Sequence, residues 1–136
     1  MKIYLAGPIH GHTDEQCKAW RHSARASLEC VGHEIVDPMD RDYRGVEDEN
    51  AENLVAEDKE AIESSDAVLV NANAPSWGTA MEVMYATSFG KQVVAFATHA
   101  SSPTISPWLR CHTHAIYESL NAALCGIATG SCAGMR

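Results

Sequence analysis

Short apolar runs alternate along this chain with longer stretches in which apolar residues recur every three or four positions. That alternation predicts strands interleaved with helices. Residues 2–6, KIYLA, form the first run and end on Gly7-Pro8, which predicts a short buried strand and a break. After the loop Ile9-His10-Gly11-His12, the sequence Thr13-Asp14-Glu15-Gln16 has the form of a capping box opening a helix. Cys17, Trp20, Ala24, Leu28 and Val31 then fall on one apolar stripe, and Gly32 stands where a helix-terminating glycine is expected. Residues 34–36 predict a second strand, broken by Asp37-Pro38. The segment 37–45, DPMDRDYRG, is too polar and turn-rich for a regular element. A second helix is expected from about residue 49 to 64, with an acidic start and with Leu54, Val55, Ala61 and Ile62 among its apolar positions.

The stretch 66–90, DAVLVNANAPSWGTAMEVMYATSFG, organises the rest. Its apolar run 67–70 predicts a third strand and its small residues 71–78 a turn. After that turn comes a helix almost without charge, which Gly90 ends. Residues 92–97 predict a fourth strand, and 98–107 a polar loop in which Ser106-Pro107-Trp108 begins a short helical turn. A brief fifth strand over 114–117 and a last helix over about 118–124 complete the pattern. This order predicts an α/β fold: one Rossmann-like or flavodoxin-like domain over residues 1–125, with a five-stranded, mostly parallel sheet and helices on both faces. The Gly-rich remainder, 126–136, is expected to be a flexible tail. In such folds ligands bind beyond the carboxyl ends of the strands, where the loops 7–12, 37–45 and 73–79 should gather.

Composition narrows the function. The 136 residues carry a formal net charge of −8 with scattered basic positions, which argues against a nucleic-acid groove but admits a nucleotide monomer. No apolar run approaches the roughly 20 residues that span a bilayer, and MKIYLAGPI lacks the pattern of a signal peptide. The five cysteines include no C-x-x-C, so reduced thiols and a cytoplasmic setting are expected. The pairs His10/His12 and His112/His114 have no Cys or carboxylate at a metal-ligand spacing, so no metal site is expected. Neither G-x-G-x-x-G nor a Walker lysine motif follows the first strand, and no cofactor is expected.

Two carboxylates stand out against the apolar pattern. Glu82 falls in what the pattern makes the helix's first turn, among Ala80, Met81, Val83, Met84 and Tyr85. There it is costly to bury without a partner or a function, although alone it reads first as a dipole-compensating cap. Asp58 lies four residues after Leu54 and four before Ile62, on the apolar stripe of its own helix. Alone, it would be read as half of an ion pair, and Tyr4 on the first strand as core. Paired carboxylates in a dry cleft can divide labour, one as ionised nucleophile and one as acid or orienting group, as retaining glycoside hydrolysis requires. The amides around 76–79, with the Ser76 hydroxyl, form a candidate anion cradle.

Tyr4-Leu5-Ala6-Gly7-Pro8-Ile9, the D-x-x-Y-R-G of residues 40–45, Asp58 ahead of the third strand and the G-T-x-M-E of residues 78–82 together resemble the nucleoside 2-deoxyribosyltransferase family, which includes nucleoside 5′-monophosphate N-glycosidases. The resemblance runs from about Lys2 to Leu124. It implies Glu82 as the nucleophile on the anomeric carbon, Tyr4 as its hydrogen-bond partner, Asp58 beside the departing base and Asp42 at the base edge. Gly7, Ile9, His10, Gly11 and Gly78 would shape the substrate site. Ser76 stands where free-nucleoside transferases resemble one another in carrying Asp, and a hydroxyl there favours a 5′-phosphate. Ser106 would reach the substrate's 5′ end across a subunit boundary. The resemblance therefore implies a small-molecule nucleotide or nucleoside as partner, and a homodimer or dimer of dimers with sites near the interface. It implies hydrolysis of a nucleotide's N-glycosidic bond, with base exchange between deoxynucleosides or non-catalytic nucleotide sensing as the alternatives.

Overall fold

A computed structural model of the protein describes residues 1–99 and 105–130. Strand β1 (Lys2–Ala6) leads to α1 (Asp14–Cys30), β2 (Glu34–Val36), a 3-10 turn (Pro38–Arg41) and α2 (Ala51–Ser64). Then come β3 (Ala67–Asn71), α3 (Trp77–Ser88), β4 (Gln92–Phe96), α4 (Pro107–Cys111), β5 (Ala115–Tyr117) and α5 (Leu120–Thr129). The five strands form one sheet in the order β2-β1-β3-β4-β5, and every neighbouring pair is parallel. This is a flavodoxin-like α/β fold, with the expected sheet now parallel throughout.

Strand alternation decides which face each residue serves. Ile3, Leu5, Leu69, Val94 and Phe96 pack beneath α1 and α5, while Tyr4, Ala6, Val68, Val70 and Val93 pack beneath α2 and α3. Each fully buried aliphatic side chain in these two layers contributes roughly 1.5–3 kcal/mol. Connections from β1 and from β3 run in opposite directions along the sheet, so a crevice opens between them at their carboxyl ends.

The capping box forms as expected, with Thr13 Oγ1 accepting from Gln16 N and Gln16 Oε1 accepting from Thr13 N. At the other end Gly32, at φ 91°, ends α1: its N–H donates to Glu29 O while that of His33 donates to Leu28 O. Val31 is the C-cap and is exposed, so the buried stripe stops at Leu28. The segment 37–45 is not wholly irregular, because Asp37 caps a 3-10 turn through Met39 N at 2.9 Å and Pro38 fits its first position. Helix α2 begins at Ala51 and not at residue 49, and its Val55 faces solvent. Helix α5 runs past the expected end to Thr129, with Gly126 and Ile127 buried. The first residues expected to form a tail are therefore part of the fold. Residues 131–136, and 100–104 of the polar loop, lie outside the described residues. Among the described residues no helix is long and apolar enough to cross a membrane.

Candidate active site

The crevice is a cleft of about 230 Å³ walled by the loops after β1 and β2, by α2 and by the start of α3. Tyr4, wholly buried, points from β1 toward α3, and its hydroxyl donates to Glu82 Oε2 at 2.5 Å. Glu82 lines the cleft. Burial pushes its carboxyl up to about 7; the nearby Asp58 charge adds to this, while the Tyr4 hydrogen bond, Arg21 and Arg41 oppose it. Burial also pushes the Tyr4 phenol well above its ordinary value, so it stays protonated as a donor.

Glu82 is not in the first turn of its helix. Ser76 is the N-cap and α3 starts at Trp77, which puts Glu82 sixth in the helix, one turn further in than the pattern implies. A carboxylate there neither caps amides nor gains much from the dipole, whose effect fades within the first turn. The dipole-cap reading of Glu82 therefore fails on geometry. Its neighbours differ from expectation as well: Val83 and Ala86 are buried, but Met81 and Met84 are exposed. What surrounds the carboxylate is the sheet and α2, not its own helix's methionines.

On the opposite wall Asp58 is held by Arg41, whose Nη2 donates to its Oδ1 at 3.0 Å. Burial raises the Asp58 pKa and the Arg41 guanidinium works against that rise. Arg41 Nη1 also donates to Glu57 Oε2 at 2.8 Å, and the Tyr43 hydroxyl reaches the same oxygen at 3.0 Å. Asp42 lines the cleft, yet Arg44 grips both of its oxygens and also pairs with Asp14 at the start of α1. That grip holds the Asp42 carboxyl down at about 2. Both of its oxygens accept from Arg44 at the exposed rim of the cleft, so a base reaching Asp42 would have to share or displace that pair.

Arg21, which the sequence pattern did not bring forward, builds the floor of the first loop. It is 1% exposed and donates to Leu5 O, Gly7 O and Asp37 Oδ1 at 2.9, 3.0 and 3.1 Å. Its guanidinium also lies over the Trp20 ring, 4.7 Å from the centroid. One buried cation thus ties the carboxyl end of β1 to that of β2. A signal for it does exist: Arg21 follows Cys17 by four positions and so shares the stripe of Trp20 and Ala24, where a charge is as misplaced as Asp58 is on α2. Gly7 is needed for close approach, since a Cβ there would stand 2.7 Å from Trp20 Cζ2.

At the start of α3 the Ser76 oxygen accepts from Thr79 N at 3.3 Å, which leaves its O–H free to donate. The amides of Trp77 and Gly78 begin the helix without an intrahelical acceptor. Ser76, Gly78, Ile9 and His10 line the cleft, whereas Gly11 and Ser106 do not. Gly11 is an exposed turn residue at φ 78°, and Ser106 caps α4 through Trp108 N. His114 Nδ1 accepts from Val93 N–H at 3.0 Å, so that nitrogen is committed to the backbone.

A sequence model of the family described as "Nucleoside 2-deoxyribosyltransferase" matches residues 3–126. The chain belongs to that family. Among solved structures, the 2-deoxyribosyltransferase of Bacillus psychrosaccharolyticus is 28% identical, with a TM-score of 0.72 over 90% of this chain and 89% of that one. The 2-deoxyribosyltransferase of Leishmania mexicana is 22% identical, with a TM-score of 0.70 over 94% and 97%. The Clostridium botulinum CMP N-glycosidase BcmB is 18% identical, with a TM-score of 0.65 over 93% and 98%. No curated protein matches the chain by sequence. Within this deoxyribosyltransferase-family fold, Tyr4, Asp58, Ser76, Gly78 and Glu82 come from three elements of the chain and the turn before α3, and all but the buried Tyr4 are in the cleft lining.

Proposed function

We propose that the chain hydrolyses the N-glycosidic bond of a (deoxy)nucleoside 5′-monophosphate. The Tyr4–Glu82 pair on the cleft floor carries this reading. A glutamate crowded out of water, oriented by a phenol that stays protonated, is a carboxylate poised to bond to carbon. Its oxygen attacks the anomeric carbon, the C–N bond breaks and the base leaves with the electron pair. Water then attacks the glycosyl-glutamate, releasing the sugar 5-phosphate and restoring the carboxylate.

Ser76 supports a phosphorylated substrate. Its free O–H and the amides at the start of α3 offer an anion site at a helix N-terminus, with Glu82 Oε1 on its inner side, 4.0 Å from where a Cβ at Gly78 would stand. Ser76→Asp is the direct test, because Asp caps a helix as well as Ser does and the fold should survive. The expected result is a fall in kcat/KM for 5′-monophosphates on the order of 10²-fold, with free nucleosides spared. Equal losses on both would remove Ser76 from phosphate recognition.

Base exchange by a transferase is the second reading, favoured by the 28% identity to a bacterial 2-deoxyribosyltransferase. Incubating a deoxynucleotide with a second free base separates the two: exchanged nucleotide without free sugar phosphate would overturn hydrolysis. A non-catalytic nucleotide sensor would bind nucleotides and never cleave one.

The active unit in this proposal is at least a dimer. Trp77, Met81 and Met84 recur along one face of α3 and are 90%, 70% and 49% exposed, an unusual apolar strip beginning at the cleft rim. The cleft encloses less than the roughly 300 Å³ at which small-molecule pockets usually begin, so a second copy closing its open side would complete it. Ser106, outside this protomer's cleft, is then free to serve the partner's. Trp77→Glu combined with Met81→Glu should give an inactive monomer by light scattering. A parent protein that is already an active monomer would refute the arrangement.

A further inference from the structure

We infer that Arg41 receives the charge of the departing base, while Asp58 beside it acts as an ionised hydrogen-bond acceptor and not as a proton donor; this rests on the glycosidase reading above. A general acid must hold a proton before it can give one. Asp58 Oδ1 sits 3.0 Å from a guanidinium that cannot deprotonate, and this pairing favours the ionised carboxylate against the burial that on balance raises its pKa. The groups facing Asp58 are Arg41 from the 3-10 turn, Glu57 on its own helix, Tyr4 from β1 and Glu82 from α3. Of these Arg41 alone is cationic, and the Tyr4 hydroxyl, which donates to Glu82, also favours the ionised form of Asp58.

The guanidinium is not exhausted by its two carboxylates. It uses one N–H of Nη1 for Glu57 and one of Nη2 for Asp58, so each terminal nitrogen keeps a second N–H and Nε–H is uncommitted. Arg41 lines the cleft together with Asp58 and Glu82. A leaving base therefore meets a donor and an acceptor side by side, one for a ring oxygen or nitrogen, the other for an N–H.

The step balances without an acid. The C–N electron pair stays on the base, which departs as an anion hydrogen-bonded to Arg41 and takes a proton from solvent. The water that resolves the glycosyl-glutamate gives its oxygen and one proton to the sugar, and its second proton replaces the one the base consumed. Asp42, bound up by Arg44, is not required to read the base at all.

The test compares the parent, Arg41→Gln, Arg41→Lys and Asp58→Asn on 5′-monophosphates whose free bases span a range of N–H acidity. Arg41→Gln should lower kcat on the order of 10²-fold, with losses growing for the less acidic bases and KM changing little. Lys, which keeps the charge but not the fork, should recover part of the rate. Carboxyl-carbon NMR should show Asp58 titrating at higher pH in Arg41→Gln than in the parent. An Arg41→Gln enzyme with unchanged kcat, or with one uniform loss across all bases, would overturn the inference while leaving the glycosidase reading intact. A parent that cleaves no nucleotide or nucleoside would overturn both.

Discussion

Replacing Glu82 by Gln should abolish turnover, by a factor on the order of 10⁴ or more, and yet give a protein more stable than its parent above neutral pH. The first half follows from the loss of the attacking oxygen. The amide keeps an acceptor for the Tyr4 hydroxyl and a similar shape, so the fold has no reason to fail. The second half follows from the shifted carboxyl. Glu82 moves from an ordinary 4.5 to about 7 on folding, so the folded state holds its proton more tightly than the unfolded chain. Below about 4.5 both states are protonated and the site costs nothing; as pH rises through about 7 the folded state must ionise a buried group. The penalty is then fully present, on the order of 3 kcal/mol, and Gln removes it. Denaturant titrations of both proteins should coincide at about pH 4 and separate by about pH 8. The same shift makes the parent's kcat/KM rise with pH through about 7. Equal stability at both pH values would mean that Glu82 is not crowded as described.

Arg21→Met should cost about 3–5 kcal/mol, the largest stability loss expected from any single polar side chain here. Met fills much of the space but leaves Leu5 O, Gly7 O and the Asp37 carboxylate without their donor. Asp37 caps the 3-10 turn that carries Arg41, and Gly7 lines the cleft, so the damage should reach substrate binding as well. Adding Asp37→Asn should recover part of the loss, since a neutral side chain is cheaper to leave unpaired than a charge. A loss below about 1 kcal/mol would show that water replaces the guanidinium without strain.

The division into strands and helices was legible because apolar runs and apolar stripes differ in period. So were the two carboxylates, which break those stripes. Four things were not. The start of α3 depends on Ser76 accepting the Thr79 amide, and no periodicity locates a start within a helix apolar on every side. For the same reason nothing in the sequence separated exposed Met81 and Met84 from buried Val83 and Ala86. The ion pairs of Arg21, Arg41 and Arg44 join loops to helices across 16, 17 and 30 positions, and charge partners at such separations have no signature in sequence. The grip of Arg44 on Asp42, which the family resemblance sets at the base edge, is one such pairing. The end of α5 was misjudged because Gly126 and Gly130 read as tail, whereas Ile127 between them is core.

In the proposed reaction Glu82 bonds to the anomeric carbon. Methanol added during turnover of a β-configured nucleotide competes with water for the intermediate, and proton NMR gives the configuration of the methyl glycoside formed. Two displacements at one carbon predict the β-methyl glycoside, with retention. The α-anomer would mean that solvent displaces the base directly, and Glu82 would not be the nucleophile.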